Sequence, residues 1–114
     1  MAKVYRPQAN RISAAGGTLL GLKLSSAKAV KIHAYSINSE ADGQTVYFYE
    51  EGTLKQLSQK WPFNAREGVE KNFTTKARIR TEALGRDIGI NLANATAVNL
   101  EIIYSNEDED LYRE

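Results

Sequence analysis

The chain has no cysteine, one histidine, one methionine, one tryptophan and two prolines in 114 residues. Without cysteine there can be no disulfide framework, thiolate metal site or cysteine nucleophile. With a single histidine, His33, a metal site would have to be built from carboxylates, and any Ser-His-Asp arrangement would have to recruit that one residue. No glycine-flanked nucleophile elbow surrounds a serine. The run Glu107-Asp108-Glu109-Asp110 lacks the spaced glycine and downstream glutamate of a calcium loop. Gly85-Arg86-Asp87-Ile88-Gly89 precedes a strand pattern, so it offers no helix N-terminus to a phosphate. No apolar run approaches the ~18 residues of a membrane span. The start, Met1-Ala2-Lys3-Val4-Tyr5-Arg6, is not a secretory signal. The chain is therefore expected to act where it is made, or in a particle assembled there, as a non-enzymatic protein with no cofactor, no metal and no catalytic residues.

What is present is one domain's worth of residues at ordinary composition, 42% hydrophobic and 25% charged. The net charge of +1 conceals a segregation. Residues 1–39 carry six bases and no acid, while residues 107–114 carry five acids and one base. That acidic tail is either a solvated end or the complement of the basic beginning of a neighbouring copy.

Apolar periodicity favours strands throughout. Val98, Leu100, Ile102 and Tyr104 alternate with polar neighbours, as do Ile88, Ile90 and Leu92. Thr45-Val46-Tyr47-Phe48-Tyr49 is β-branched and aromatic between turn residues. Val30, Ile32 and Ala34 are expected inward, with Lys31, His33 and Tyr35 opposite. Thr18 to Leu24 reads as a strand with Leu20, Leu22 and Leu24 inward, and Arg78 to Glu82 alternates again. Val69 to Phe73 forms a further short strand, and Thr53 to Trp61 suits either a helix or an edge strand ending at Pro62. Seven or eight strands at this spacing predict an all-β fold, an antiparallel β-sandwich spanning residues 17–106. Residues 1–16 are expected as an N-terminal arm, and 107–114 as an acidic C-terminal tail.

Three groups of residues are candidates for binding. Lys76, Arg78 and Arg80 share one strand face, a positive stripe of about 13 Å. It is either a solvated face or a dock for an acidic surface. Lys3, Arg6 and Arg11 give the arm the same character. Tyr35, Tyr47 and Tyr49 would form an aromatic patch on a strand face, a subunit interface or, with Trp61, a glycan-stacking cleft. Nucleic acid is not an expected partner, because Glu50 and Glu51 beside the tyrosines would repel phosphate. Those two glutamates read as a charged turn edge that discourages aggregation.

The pattern Gly89-Ile90-Asn91-Leu92 followed by Ala95 to Tyr104, the short strand between Gly43 and Gly52, and the corner Trp61-Pro62-Phe63 carry a family likeness. Over Val30 to Tyr104 the chain resembles the small β-sandwich proteins of tailed-bacteriophage virions, in particular capsid decoration (cement) proteins. The resemblance implies a jelly-roll-like sandwich, often trimeric, that binds the major capsid protein, reinforces the shell and performs no reaction. Its place would be the virion, assembled in the host cytoplasm. The alternative is a glycan-binding sandwich module of a phage tail or fibre, or a carbohydrate-binding domain.

Overall fold

The computed structural model describes residues 6–24, 26, 28–64, 67–72 and 79–107. These form nine strands and no helix: β1 (Arg6–Ile12), β2 (Gly16–Leu19), β3 (Ala29–Ser39), β4 (Gln44–Glu50), β5 (Trp61–Phe63), β6 (Gly68–Asn72), β7 (Ile79–Arg80), β8 (Ile88–Leu92) and β9 (Val98–Glu107). One sheet runs β1-β9-β3-β6, with β7 beside β6 on the same edge of β3; the other runs β2-β8-β4-β5. Every pairing is antiparallel. The two sheets enclose one core, a two-layer β-sandwich.

The strict alternation of β9 puts Val98, Leu100, Ile102 and Tyr104 into that core. Its partner β3 keeps step only because of a bulge. The register slips between Ile32 and Ala34, leaving His33 as the extra residue. Val30 and Ile32 point inward before the slip, and Tyr35 and Ile37 after it. Simple alternation, which would place Ala34 inside and Tyr35 outside, is therefore corrected at this point. Ala34 and Ser36 take the outer face instead.

Tyr35 consequently meets the opposite sheet. Its ring lies 5.3 Å from Trp61 and 5.8 Å from Phe48, and Phe48 and Trp61 are 5.9 Å apart, two of the three contacts edge-on. Burial raises the pKa of the Tyr35 hydroxyl. Trp61 belongs to β5, paired with β4, where Pro62 faces Thr45 on the sheet edge. An edge is where a residue lacking an N–H is tolerated. The segment before it is neither helix nor extended strand but a turn returning through a single bridge from Gln56 to Tyr49.

Residues 6–12, within the expected N-terminal arm of residues 1–16, form an edge strand paired along its length with β9. The leucine strand also ends earlier than its pattern suggests. Gly21 takes φ +72°, and although Leu20 and Leu22 are buried, Leu24 is exposed. Glu107 is the last residue of β9, opposite Ala29, rather than the start of a tail; residues 108–114 lie outside the described residues.

Tyr49 lies on the outer face of the second sheet, above Gly89 of β8 and Gly17 of β2, where a Cβ at either glycine would strike its ring. Two missing side chains thus make the bed in which the ring is buried. Gly89→Ala is expected to destabilise the fold by about 1–3 kcal/mol. Tyr49→Ala in the same chain should give a combined loss well below the sum of the two single losses. Urea denaturation of the single and double variants measures this; strict additivity would mean that ring and glycine do not share a site.

Candidate interaction surface

The buried polar side chains fasten loops to the sandwich and are not gathered into a cleft. Gln44, fully buried at the start of β4, holds the turn before β9 with both ends of its amide. Its Nε2 donates to Thr96 O at 2.6 Å and Asn94 O at 3.0 Å. Its Oε1 accepts from Ala93 N at 2.9 Å and Thr45 N at 3.0 Å. Asp87 does the same for the segment that leaves β2. One carboxylate oxygen accepts from Leu22 N and Ile88 N, both at 2.8 Å, and the other from Gly21 N at 2.9 Å. A backbone curl of consecutive N–H groups is a natural anion cradle, and here the protein fills it with its own side chain.

Glu50 and Glu51 likewise accept from backbone, Glu50 from a buried position and Glu51 from a half-buried one, which corrects their reading as a charged turn edge. Glu50 is buried and accepts from Glu82 N at 2.6 Å. Glu51 accepts from Asp87 N at 3.1 Å. Burial raises the pKa of Tyr49, and Asp87, Glu51 and Tyr47 push it the same way. None of these fasteners carries a motif, because each is defined by the distant backbone it meets.

The candidate residues do not converge. Tyr35 and Trp61 are core residues, so the expected glycan cleft is not assembled. Tyr49 is buried over its glycines, and Tyr47 is half-buried with Lys60 Nζ 5.3 Å from its ring centre. Arg6 is exposed at the start of β1. Arg11 is held by Glu40 of its own chain at 2.8 and 3.0 Å, and the same Glu40 accepts from Asn99 at 3.1 Å. Arg80 is half-buried in β7, opposite Lys31. Lys3, Lys76 and Arg78 lie outside the described residues. Lys31 and His33 are buried on the outer side of their sheet, His33 Nε2 being 2.6 Å from Ser105 Oγ. Among the described residues no three His, Asp or Glu side chains are grouped as a metal site would require.

A recess does exist, in a place the charge pattern did not mark. The outer face of the five-stranded sheet forms an open trough of about 870 Å³. Pro7, Ala9, Ala34, Ser36 and Ile103 contribute to its surface, and of the charged residues two acids, Glu70 and Glu101, and one base, Lys71, line it as well. Register explains the layout. Pro7, Ile103 and Ala34 form one cross-strand row, and Ala9, Glu101, Ser36 and Glu70 form the next. Ile103 is 43% exposed, unusual for a residue in the middle of a central strand.

Gln44→Glu is expected to lower stability by about 2–4 kcal/mol, because a carboxylate oxygen would face the carbonyls of Thr96 and Asn94 in place of an N–H donor. Thermal and chemical melts check it; an unchanged midpoint would mean that the turn is held by other contacts.

The Glu40 carboxyl is held below its ordinary value of 4.5, first by the Arg11 hydrogen bond; burial opposes this, and Asn99 and the Arg11 charge assist. Because the folded pKa is the lower one, the pair's contribution is complete above the ordinary value. It disappears as pH falls through the depressed value. An NMR titration should place Glu40 below 4.5 and Arg11→Ala should return it upward.

A scan against protein-family models gives no match, and neither the curated proteins nor the solved structures contain a significant match to this chain.

Proposed function

We propose that this chain is a structural virion protein that binds a capsid shell as a symmetric oligomer, with a trimer favoured, and reinforces it without performing a reaction. The observation that carries the reading is the strand order, β1-β9-β3-β6 over β2-β8-β4-β5. If β6 and β7 are counted as one interrupted strand along β3, this is the eight-stranded jelly-roll arrangement. That architecture is used by viral capsid domains and also by lectins. The internal use of polar groups supports a scaffold role. Gln44, Glu50 and Asp87 each stiffen a loop from within, and a rigid body loses little entropy when repeated contacts retain it on a shell.

The glycan-binding alternative draws less support, since Trp61 and Tyr35 lie in the core and only Tyr47 of the proposed aromatics remains partly open.

The test is cosedimentation of the purified protein with shells assembled from the major capsid protein of the same genome, alongside sedimentation velocity of the free protein. Saturable retention at a ratio fixed by shell symmetry, and an oligomer in solution, are expected. A monomer left wholly in the supernatant overturns the reading, and glycan-array binding lost in Tyr47→Ala would replace it with the alternative.

A further inference from the structure

The described carboxylates fall into two groups. Glu40, Glu50, Glu51, Glu67 and Asp87 each accept at least one hydrogen bond from this chain, Asp42 is likewise engaged, and Glu82 pairs with Lys55. Glu70 and Glu101 hold no such partner among the described residues. Both stand on the trough, one on each side of Ser36, because Ser36 is in register with Glu101 of β9 and Glu70 of β6. Two strand spacings, about 10 Å, separate their backbones. The adjoining row is apolar over Pro7, Ile103 and Ala34 and ends at Asn72 of β6. An exposed apolar row beside two uncommitted carboxylates is therefore the chemistry this face offers.

From this we infer that the outer face of the five-stranded sheet docks an extended, cationic and partly apolar segment of a partner protein. Apolar side chains of that segment lie on Pro7, Ile103 and Ala34, and its lysine or arginine side chains reach Glu101 and Glu70. Charge selects the class of partner. The carboxylates repel the phosphates of nucleic acid and of anionic membranes, and two copies meeting face to face would bring like charges together. The small side chains of Ala9, Ala34 and Ser36 leave room for a chain to approach the floor. The inference rests on the shell-binding reading and reverses the sign of the partner surface that the basic residues alone suggest, since Arg11 is already paired with Glu40.

Two measurements test it and separate its failure from that of the shell reading. The first is fluorescence anisotropy with a short labelled peptide of alternating lysine and valine, set against one of alternating glutamate and valine. The second is shell retention. Glu70→Lys/Glu101→Lys, and separately Ser36→Trp, which fills the floor, should weaken lysine-peptide binding at least about tenfold. Both should also reduce shell retention while leaving the melting temperature near that of the wild type. Leu54→Lys, in the loop after β4, adds a charge elsewhere and should change neither. Glu70→Gln/Glu101→Gln keeps the shape and should weaken binding less than the reversal does, so the test survives if the lysine variant fails to fold. Folded variants that bind as well as the wild type overturn the inference, as does preference for the acidic peptide or for anionic vesicles. Peptide binding that depends on these residues, with no retention of the wild type on shells, supports the docking surface and overturns the shell reading.

Discussion

One irregularity in β3 organises the molecule. A strand in which Val30, Ile32, Tyr35 and Ile37 all face one way cannot be regular, since side chains alternate with a period of two. The bulge at His33 absorbs the odd residue and lets β3 run beside β9 from Ala29 to Ser39. The same displacement sends Tyr35 inward, where it meets Phe48 and Trp61 of the other sheet, and sends Ala34 and Ser36 outward. Core and trough are thus two faces of one local event. Regular alternation would stand a tyrosine on the trough floor and an alanine in the core.

The rest of the sandwich is held by side chains that terminate loops. Antiparallel strands satisfy their own backbone groups, but the turns between them do not. Gln44, Glu50 and Asp87 supply the missing partners from buried positions. Such groups favour a single arrangement, because a buried donor or acceptor left unmatched is more costly than the bond is stabilising. In a protein proposed to work by repeated contacts on a larger assembly, fixed loops matter more than a reactive cleft. The proposed docking face has the opposite character, with carboxylates that hold no hydrogen-bond partner among the described residues.

Much of the fold was legible in the residues. The all-β class, the inward set on β8 and β9 and the strand through Phe48 followed from periodicity alone. The candidate surface was far less so. The basic residues drew attention because charge is visible in a sequence, yet Arg11 is paired internally with Glu40. The tyrosines and Trp61 looked like a patch because nothing local distinguishes a core aromatic from an exposed one. Glu70 and Glu101, 31 positions apart in the chain, have no shared motif and meet only because β3 lies between their strands.

The sequence by itself determined the all-β class and which faces of the regular strands are apolar, since a two-residue period is written in the order of side chains. Tertiary structure decided three things: where that period breaks, which strand pairs along β9, and what each buried polar group holds. Residues 6–12 carry too few apolar side chains to announce a strand, yet the open edge of β9 recruits them because its backbone groups need partners. Pairing energy of that kind belongs to the neighbour as much as to the segment, and so it is not encoded in either one alone.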